Sequence, residues 1–208
     1  MKVQAFIPTW PGEKQHPATL VDIISPFCEV TVLDNPEHYF TEQWEEMRKR
    51  FSGDIMLWVM ADAYLFDFPV IYPEMIRLLS RDDIGIYAPN VCWTGHVYDI
   101  SKLQKVDTGI YEVAMTDLLC YAVKAEVLRK MPPVKARSHG WGIEVVLTAI
   151  ATKMGKKTVR DYKSTVGHPN STSYFIPEAA AGMEEIISSS GMEQEMRDVM
   201  ELRDKQHV

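Results

Sequence analysis

Three ionisable residues suit different duties: Asp62 and Glu144 each stand at a boundary of an element, and His168 lies in a loop. Asp62 closes an apolar run, Ile55 to Ala61, that follows the breaker pair Ser52-Gly53. An unbroken run of that kind reads as a strand buried on both faces, in the middle of a parallel sheet. Ligands of such sheets lie in the crevice beyond the carboxyl ends of the strands, so Asp62 is a lone carboxylate delivered to a site. The competing reading is a cap for the turn that follows. Glu144 comes after Gly140-Trp141-Gly142, a tight turn where backbone can approach a ligand. It falls in the first turn of a helix, off the apolar face, as a general base kept anionic by the positive helix end. Its competing reading is a helix-end charge worth about 0.3–1 kcal/mol. His168 lies among the small polar residues of 164–174, where a lone imidazole is more often an ordinary surface residue.

The elements that must position these groups alternate. Val3 to Ile7 is an apolar strand ended by Pro8, and the Pro8-Thr9-Trp10-Pro11-Gly12 segment is a loop. Pro17 opens a helix to Ile24, and Cys28 to Leu33 is a second strand ending in the turn cluster Asp34-Asn35-Pro36. A helix over 40–51 carries Trp44, Met47 and Phe51 on one face, and the central strand to Asp62 follows. Pro73 to Leu79 reads as a short helix and Ile84 to Ala88 as a strand ended by Pro89-Asn90. Strand and helix alternating in this way predict a parallel sheet with helices on both faces. From Val91 to Met115 the pattern dissolves into loop and edge strands carrying Trp93, His96, Tyr98 and Tyr111, aromatics that form either a binding wall or a cover for the sheet. Asp117 to Val123 is strand-like, a helix runs from Ile143 to Met154, and Lys157 to Asp161 is a short strand. Residues 176–208 are helical, with a break at Gly191, and are expected to pack on the domain formed by 1–175.

Composition narrows the class. The chain has 208 residues with 46% hydrophobic and 25% charged, ordinary for a globular domain. A net charge of -7 gives no electrostatic reason for an obligatory nucleic-acid partner. Cys28, Cys92 and Cys120 are far apart and odd in number, which suits buried thiols better than disulfides or a zinc site. No stretch approaches the roughly 18 apolar residues of a membrane helix, and the apolar start is too short for a signal peptide, so a cytoplasmic location is expected.

Taken in order, these segments resemble the GT-A glycosyltransferases, and among them small family 2 type enzymes that use nucleotide-diphosphate sugars. The resemblance spans residues 2–175 and implies a three-layer α/β/α sandwich with a mostly parallel sheet. It places Pro8-Thr9 and Asp34-Asn35 at the nucleotide, with Asp34 toward the base. Gly53 to Leu65 resembles the strand carrying the metal-binding Asp-x-Asp motif, with Met60 in place of the first Asp and Asp62 as the second. Gly140-Trp-Gly-Ile-Glu144 resembles the segment with the acceptor-side carboxylate, which makes Glu144 catalytic and puts Trp141, Gly142 and Asp117 on the acceptor side. Val166-Gly-His168 resembles the segment whose His completes the metal site with Asp62.

The chemistry implied is transfer of a sugar to an acceptor hydroxyl of a glycan, lipid, protein or modified nucleic acid. A Mn²⁺ or Mg²⁺ ion stabilises the leaving diphosphate. Asp62 on the metal and Glu144 on the acceptor suit an in-line displacement with inversion. Two alternatives stand beside this. A sugar nucleotidyltransferase would need a Gly-rich basic loop after the first strand, where Pro8-Thr-Trp-Pro-Gly12 has one Gly and two prolines. An inactive nucleotide-sugar-binding domain of the same fold is suggested by Met60 and opposed by the presence of Asp62, Glu144 and His168.

Overall fold

The computed structural model describes residues 1–11, 15–34, 39–92, 102–169 and 176–205. In chain order the elements are β1 (Val3–Pro8), α1 (Pro17–Ile24), β2 (Glu29–Leu33), α2 (Phe40–Arg50), β3 (Ile55–Val59), β4 (Tyr64–Leu65), α3 (Phe68–Leu79) and β5 (Ile84–Cys92). Then come β6 (Lys102–Asp107), β7 (Ile110–Val113), β8 (Cys120–Lys124), α4 (Ala125–Leu128), α5 (Ile143–Lys153), β9 (Lys157–Gly167), α6 (Ile176–Ser190) and α7 (Glu193–Lys205). Strands lie in the order β2-β1-β3-β8-β5-β9-β7-β6, with β4 added to β9 off this path. β1 pairs in parallel with β2 and β3, and β5 with β9. β8 runs antiparallel between β3 and β5, so it leaves both of those strands pointing the same way.

Two cores lie on the two faces of this sheet. One gathers α1 and α3 through Leu20, Ile24, Phe68, Ile71 and Leu78 against Ile7, Leu57 and Val59. The other gathers α2 and α5 through Trp44, Met47, Val146 and Ile150 against Phe6, Trp58 and Tyr121. Every residue of β3 is buried, as an uninterrupted apolar strand requires when both its faces are covered. α6 and α7 pack on the outer side of α5, which is why Ile143 to Ala151 are buried all round rather than along one stripe. No helix among the described residues is long and apolar enough to cross a membrane.

Several boundaries differ from the sequence expectation, each for a local reason. α3 begins at Phe68, with Pro69 in its first turn where no N–H is missed, and carries Pro73 inside it. β5 continues through Pro89 to Cys92 because its register with β9 breaks there, sparing the ladder the absent N–H. β8 starts only at Cys120, which leaves Asp117 in the loop ahead of it. β9 is far longer than expected and reaches Gly167, and the two-residue β4 has no periodicity by which to be recognised. Trp93, His96 and Tyr98 lie outside the described residues, whereas Tyr111 packs edge-on against Tyr162 with ring centroids 5.6 Å apart.

Candidate active site

The carboxyl ends of β1, β2 and β3 meet at one edge of the sheet. There the Thr9 hydroxyl donates to the Leu33 carbonyl (3.2 Å) and lies 3.3 Å from Asp34 Oδ1, so the turn residues after the first two strands face each other. Pro8 closes β1 opposite Leu33. Asn35 lies outside the described residues. Gln43, on α2, ties this corner together: its side-chain amide donates to the Thr9 carbonyl at 2.8 Å and also to the Leu33 carbonyl. Sequence reasoning passed over Gln43. The signal available was a polar residue between Phe40 and Met47 on the helix face that turns inward, and it is indeed buried.

Asp62 and His168 are brought together by two devices. The chain turns after β3 into β4, which pairs antiparallel with the end of β9 through Tyr64↔Gly167 and Leu65↔Val166. That register sets the residues just before β4 beside the residue just after β9. The second device is a bulge in β9. Pro89 pairs with Asp161 but Asn90 pairs with Thr165, so 162–164 loop out of the ladder. The fully buried Asp161 holds the bulge, accepting from the Lys163 N–H (2.9 Å), the Ser164 hydroxyl (2.8 Å) and the Tyr87 hydroxyl (3.2 Å). Beyond it Val166 and Gly167 rejoin β5, and the His168 N–H donates to the Cys92 carbonyl at 3.0 Å. His168 is therefore anchored at a strand end rather than carried in the middle of a loop.

His168 Nε2 lies 3.2 Å from Asp62 Oδ2, and both side chains are largely buried. Asp62 Oδ1 and His168 Nδ1 are buried too and have no hydrogen-bond partner among the described residues. Buried polar atoms are rarely left so, because each unpaired group costs about 1–3 kcal/mol. The atoms that face each other, Asp62 Oδ2 and His168 Nε2, are 3.2 Å apart, a separation that one divalent ion can bridge, whereas His168 Nδ1 lies on the far side of its ring. No group of three or more His, Cys, Asp or Glu able to hold a metal occurs among the described residues. Two protein donors leave coordination positions for ligand oxygens, as Mg²⁺ at phosphate sites commonly has.

Glu144 stands at the start of α5, buried within the core that this helix shares with Tyr121 and Trp58. Gly142 caps α5 with φ of 98°, a left-handed conformation that side chains resist, and Gly140 likewise has φ of 83°. The Gly142 N–H donates to Glu144 Oε2 at 3.1 Å. Trp141 is half-buried beside it. The helix end does not keep this carboxyl in the ordinary anionic range. Burial outweighs the hydrogen bonds from the backbone N–H groups of Glu144 and Gly142, and with the nearby Asp117 it raises the Glu144 carboxyl to about 7. Helix ends favour a carboxylate by a few tenths of a kcal/mol to about one, less than the cost of removing a charge from water. Asp117 is buried as well, with Oδ2 3.1 Å from Arg160 Nη1 and Oδ1 accepting from the Leu119 N–H at 3.1 Å. Arg160 is the second residue that the sequence reading missed, being one of three cations in the mixed stretch KTVRDYKSTVG that forms β9.

No family model matches the chain, and no curated protein resembles it significantly in sequence. Solved structures do resemble it. Glucosyl-3-phosphoglycerate synthase from Mycobacterium tuberculosis, solved with Mg²⁺ and uridine diphosphate, superposes with a TM-score of 0.59 at 17% identity, covering 91% of this chain and 79% of that one. GalNAc-T7, solved with UDP, GalNAc and Mn²⁺, gives 0.54 at 13% identity, covering 85% of this chain and 45% of that one. The chain has the GT-A fold.

Proposed function

We propose that this protein is a glycosyltransferase that moves a sugar from a nucleotide-diphosphate sugar to an acceptor hydroxyl. The observation that carries this reading is the Asp62–His168 pair, buried at the carboxyl edge of the sheet with Asp62 Oδ2 3.2 Å from His168 Nε2. Both structural relatives named above were solved with UDP and a divalent cation, which supports UDP-sugars as the first donors to test. Asp62 and His168 would hold Mn²⁺ or Mg²⁺, which when bound offsets the negative charge that develops on a departing diphosphate. Thr9 and Asp34 bind the base and ribose side of the donor, and Gln43 keeps their two strand ends in register.

Glu144 takes the proton of the acceptor hydroxyl. As that O–H bond breaks, the oxygen forms its bond to the anomeric carbon, and the diphosphate leaves with the electron pair of the old bond. Attack opposite the leaving group inverts the anomeric configuration. A carboxyl raised to about 7 suits this duty better than an ordinary one, because a base works best with its proton affinity near the working pH. Residues 1–175 carry the donor machinery in this reading, and 176–208 form an extension that covers α5.

The test is isothermal titration with UDP, GDP, TDP and their triphosphates, each with and without Mn²⁺. One nucleoside diphosphate should bind in a metal-dependent way, and D62A and H168A should each lose the metal-dependent part while keeping their circular dichroism. Binding of triphosphates alone would turn the assignment toward a nucleotidyltransferase. Metal-linked binding that survives in both variants would remove the ion from this pair.

A further inference from the structure

Arg160 and Asp117 form an ion pair sealed within the site, with side chains 3% and 5% exposed. Such pairs are weak contributors to folding, since the cost of desolvating both charges roughly cancels their attraction. The contact here is also a single one. Only Nη1 reaches the carboxylate, and the buried Nε has no hydrogen-bond partner among the described residues. A strong structural bridge would use the guanidinium fork on both oxygens.

What the pair adjoins suggests its duty. Trp58 pairs with Tyr121 across β3 and β8. Tyr87 pairs with Ala122, which sets the next residue, Ala88, beside Tyr121, and Ala88 pairs with Arg160. Alternation then places Trp58, Tyr121, Ala88 and Arg160 in one row on the face that α5 covers. Glu144 lies in the first turn of α5, and the loop that carries Asp117 reaches this turn: Leu118 packs in the same core as Ile143, its Cδ1 3.8 Å from where a Cβ of Gly140 would stand. The burial of Asp117, Tyr121 and Glu144 together leaves their charges little screened from one another. The groups facing Glu144 are thus the Gly142 N–H from its own turn, Asp117 from the loop before β8 and Tyr121 from β8. From α6, Met183 covers Gly142, while Glu178 is 3.8 Å from His139.

We propose that Arg160 is a positioning residue for the base: by neutralising Asp117 it limits the repulsion between Asp117 and Glu144, and so sets the pH at which Glu144 exchanges its proton. This deepens the glycosyltransferase reading, but its test can be read without any substrate. Protein labelled with ¹³C at the Asp and Glu carboxyls is titrated by NMR, with E144Q identifying the Glu144 resonance. R160M leaves the Asp117 charge bare and should raise the Glu144 midpoint by about one unit, a tenfold change in proton affinity. D117N removes the charge and should lower it. R160K keeps a cation and should restore the wild-type midpoint. A merely structural pair would shift R160M and D117N in the same direction or leave both midpoints in place, and either result overturns the proposal. Should R160M fail to fold, D117N and R160K decide alone. The opposed shifts appearing in a protein that transfers no sugar would sink the glycosyltransferase reading and leave this inference standing.

Discussion

At the scale of single residues, one carboxyl makes stability fall as pH rises toward neutrality. The Glu144 proton is held more tightly in the folded chain than in the unfolded one, where its midpoint is near the ordinary 4.5. The folded state therefore binds more protons between those two midpoints. Stability from this group is full below about pH 4.5 and is lost as pH rises to about 7. The difference is on the order of 3 kcal/mol at alkaline pH. E144Q keeps an acceptor for the Gly142 N–H and has no proton to lose. It should unfold at higher denaturant than wild type at pH 8 and at nearly the same denaturant at pH 4.5. The same variant should lose about 10²–10⁴-fold in transfer rate with donor affinity preserved. A Gln variant that is less stable at pH 8 would refute the buried, proton-retaining carboxyl.

At the scale of elements, the site depends on how closely α6 can approach the turn before α5. Gly182 permits that approach: a Cβ there would lie 2.4 Å from the Ser138 Cβ, well inside contact distance. Ser138 is itself tied to α2, its carbonyl accepting from the Thr41 hydroxyl at 3.2 Å and its N–H donating back to that oxygen at 3.0 Å. The turn cannot yield without disturbing α2, so the strain falls on α6. G182A should cost about 1–3 kcal/mol despite the better helix propensity of Ala. Amide exchange should quicken first in α6 and in 138–142, with β1 and β3 unchanged. Uniform acceleration along the chain would mean that α6 does not move by itself.

At the scale of the whole molecule, the proposed donor site would span the ends of β1, β2, β3 and β9 and so couple distant stretches of chain. Any ligand that binds only the folded state raises stability by mass action, about 2.7 kcal/mol at a hundred times its Kd. For a chain of this size that is roughly 5–10 °C in Tm. UDP with Mn²⁺ should produce a shift of that order, and H168A should abolish it although it lies more than a hundred residues from β3. An equal shift with UDP in the presence of a chelator would show binding that does not use the ion.

Legibility in the sequence follows from whether a feature is local. β1, α1, β2, α2 and β3 were readable because burial on one face or two imprints a period on neighbouring residues, and proline and turn clusters mark the ends. Asp62 and Glu144 stood out for the same reason, each lying next to such a boundary, whereas His168 sat within a polar loop and was marked only by the family resemblance. What only the tertiary structure decided was everything set by pairing between distant strands. The antiparallel insertion of β8 leaves no mark on its own residues, since a strand buried on both faces has the same composition whichever way it runs. The β9 bulge that carries His168 to Asp62 depends on Asp161 meeting Tyr87 from another strand. The raised proton affinity of Glu144 was not legible because a helix end is visible in the sequence while the depth of burial under α6 and α7 is not. Burial is a sum over the whole fold, and no window of neighbouring residues contains it.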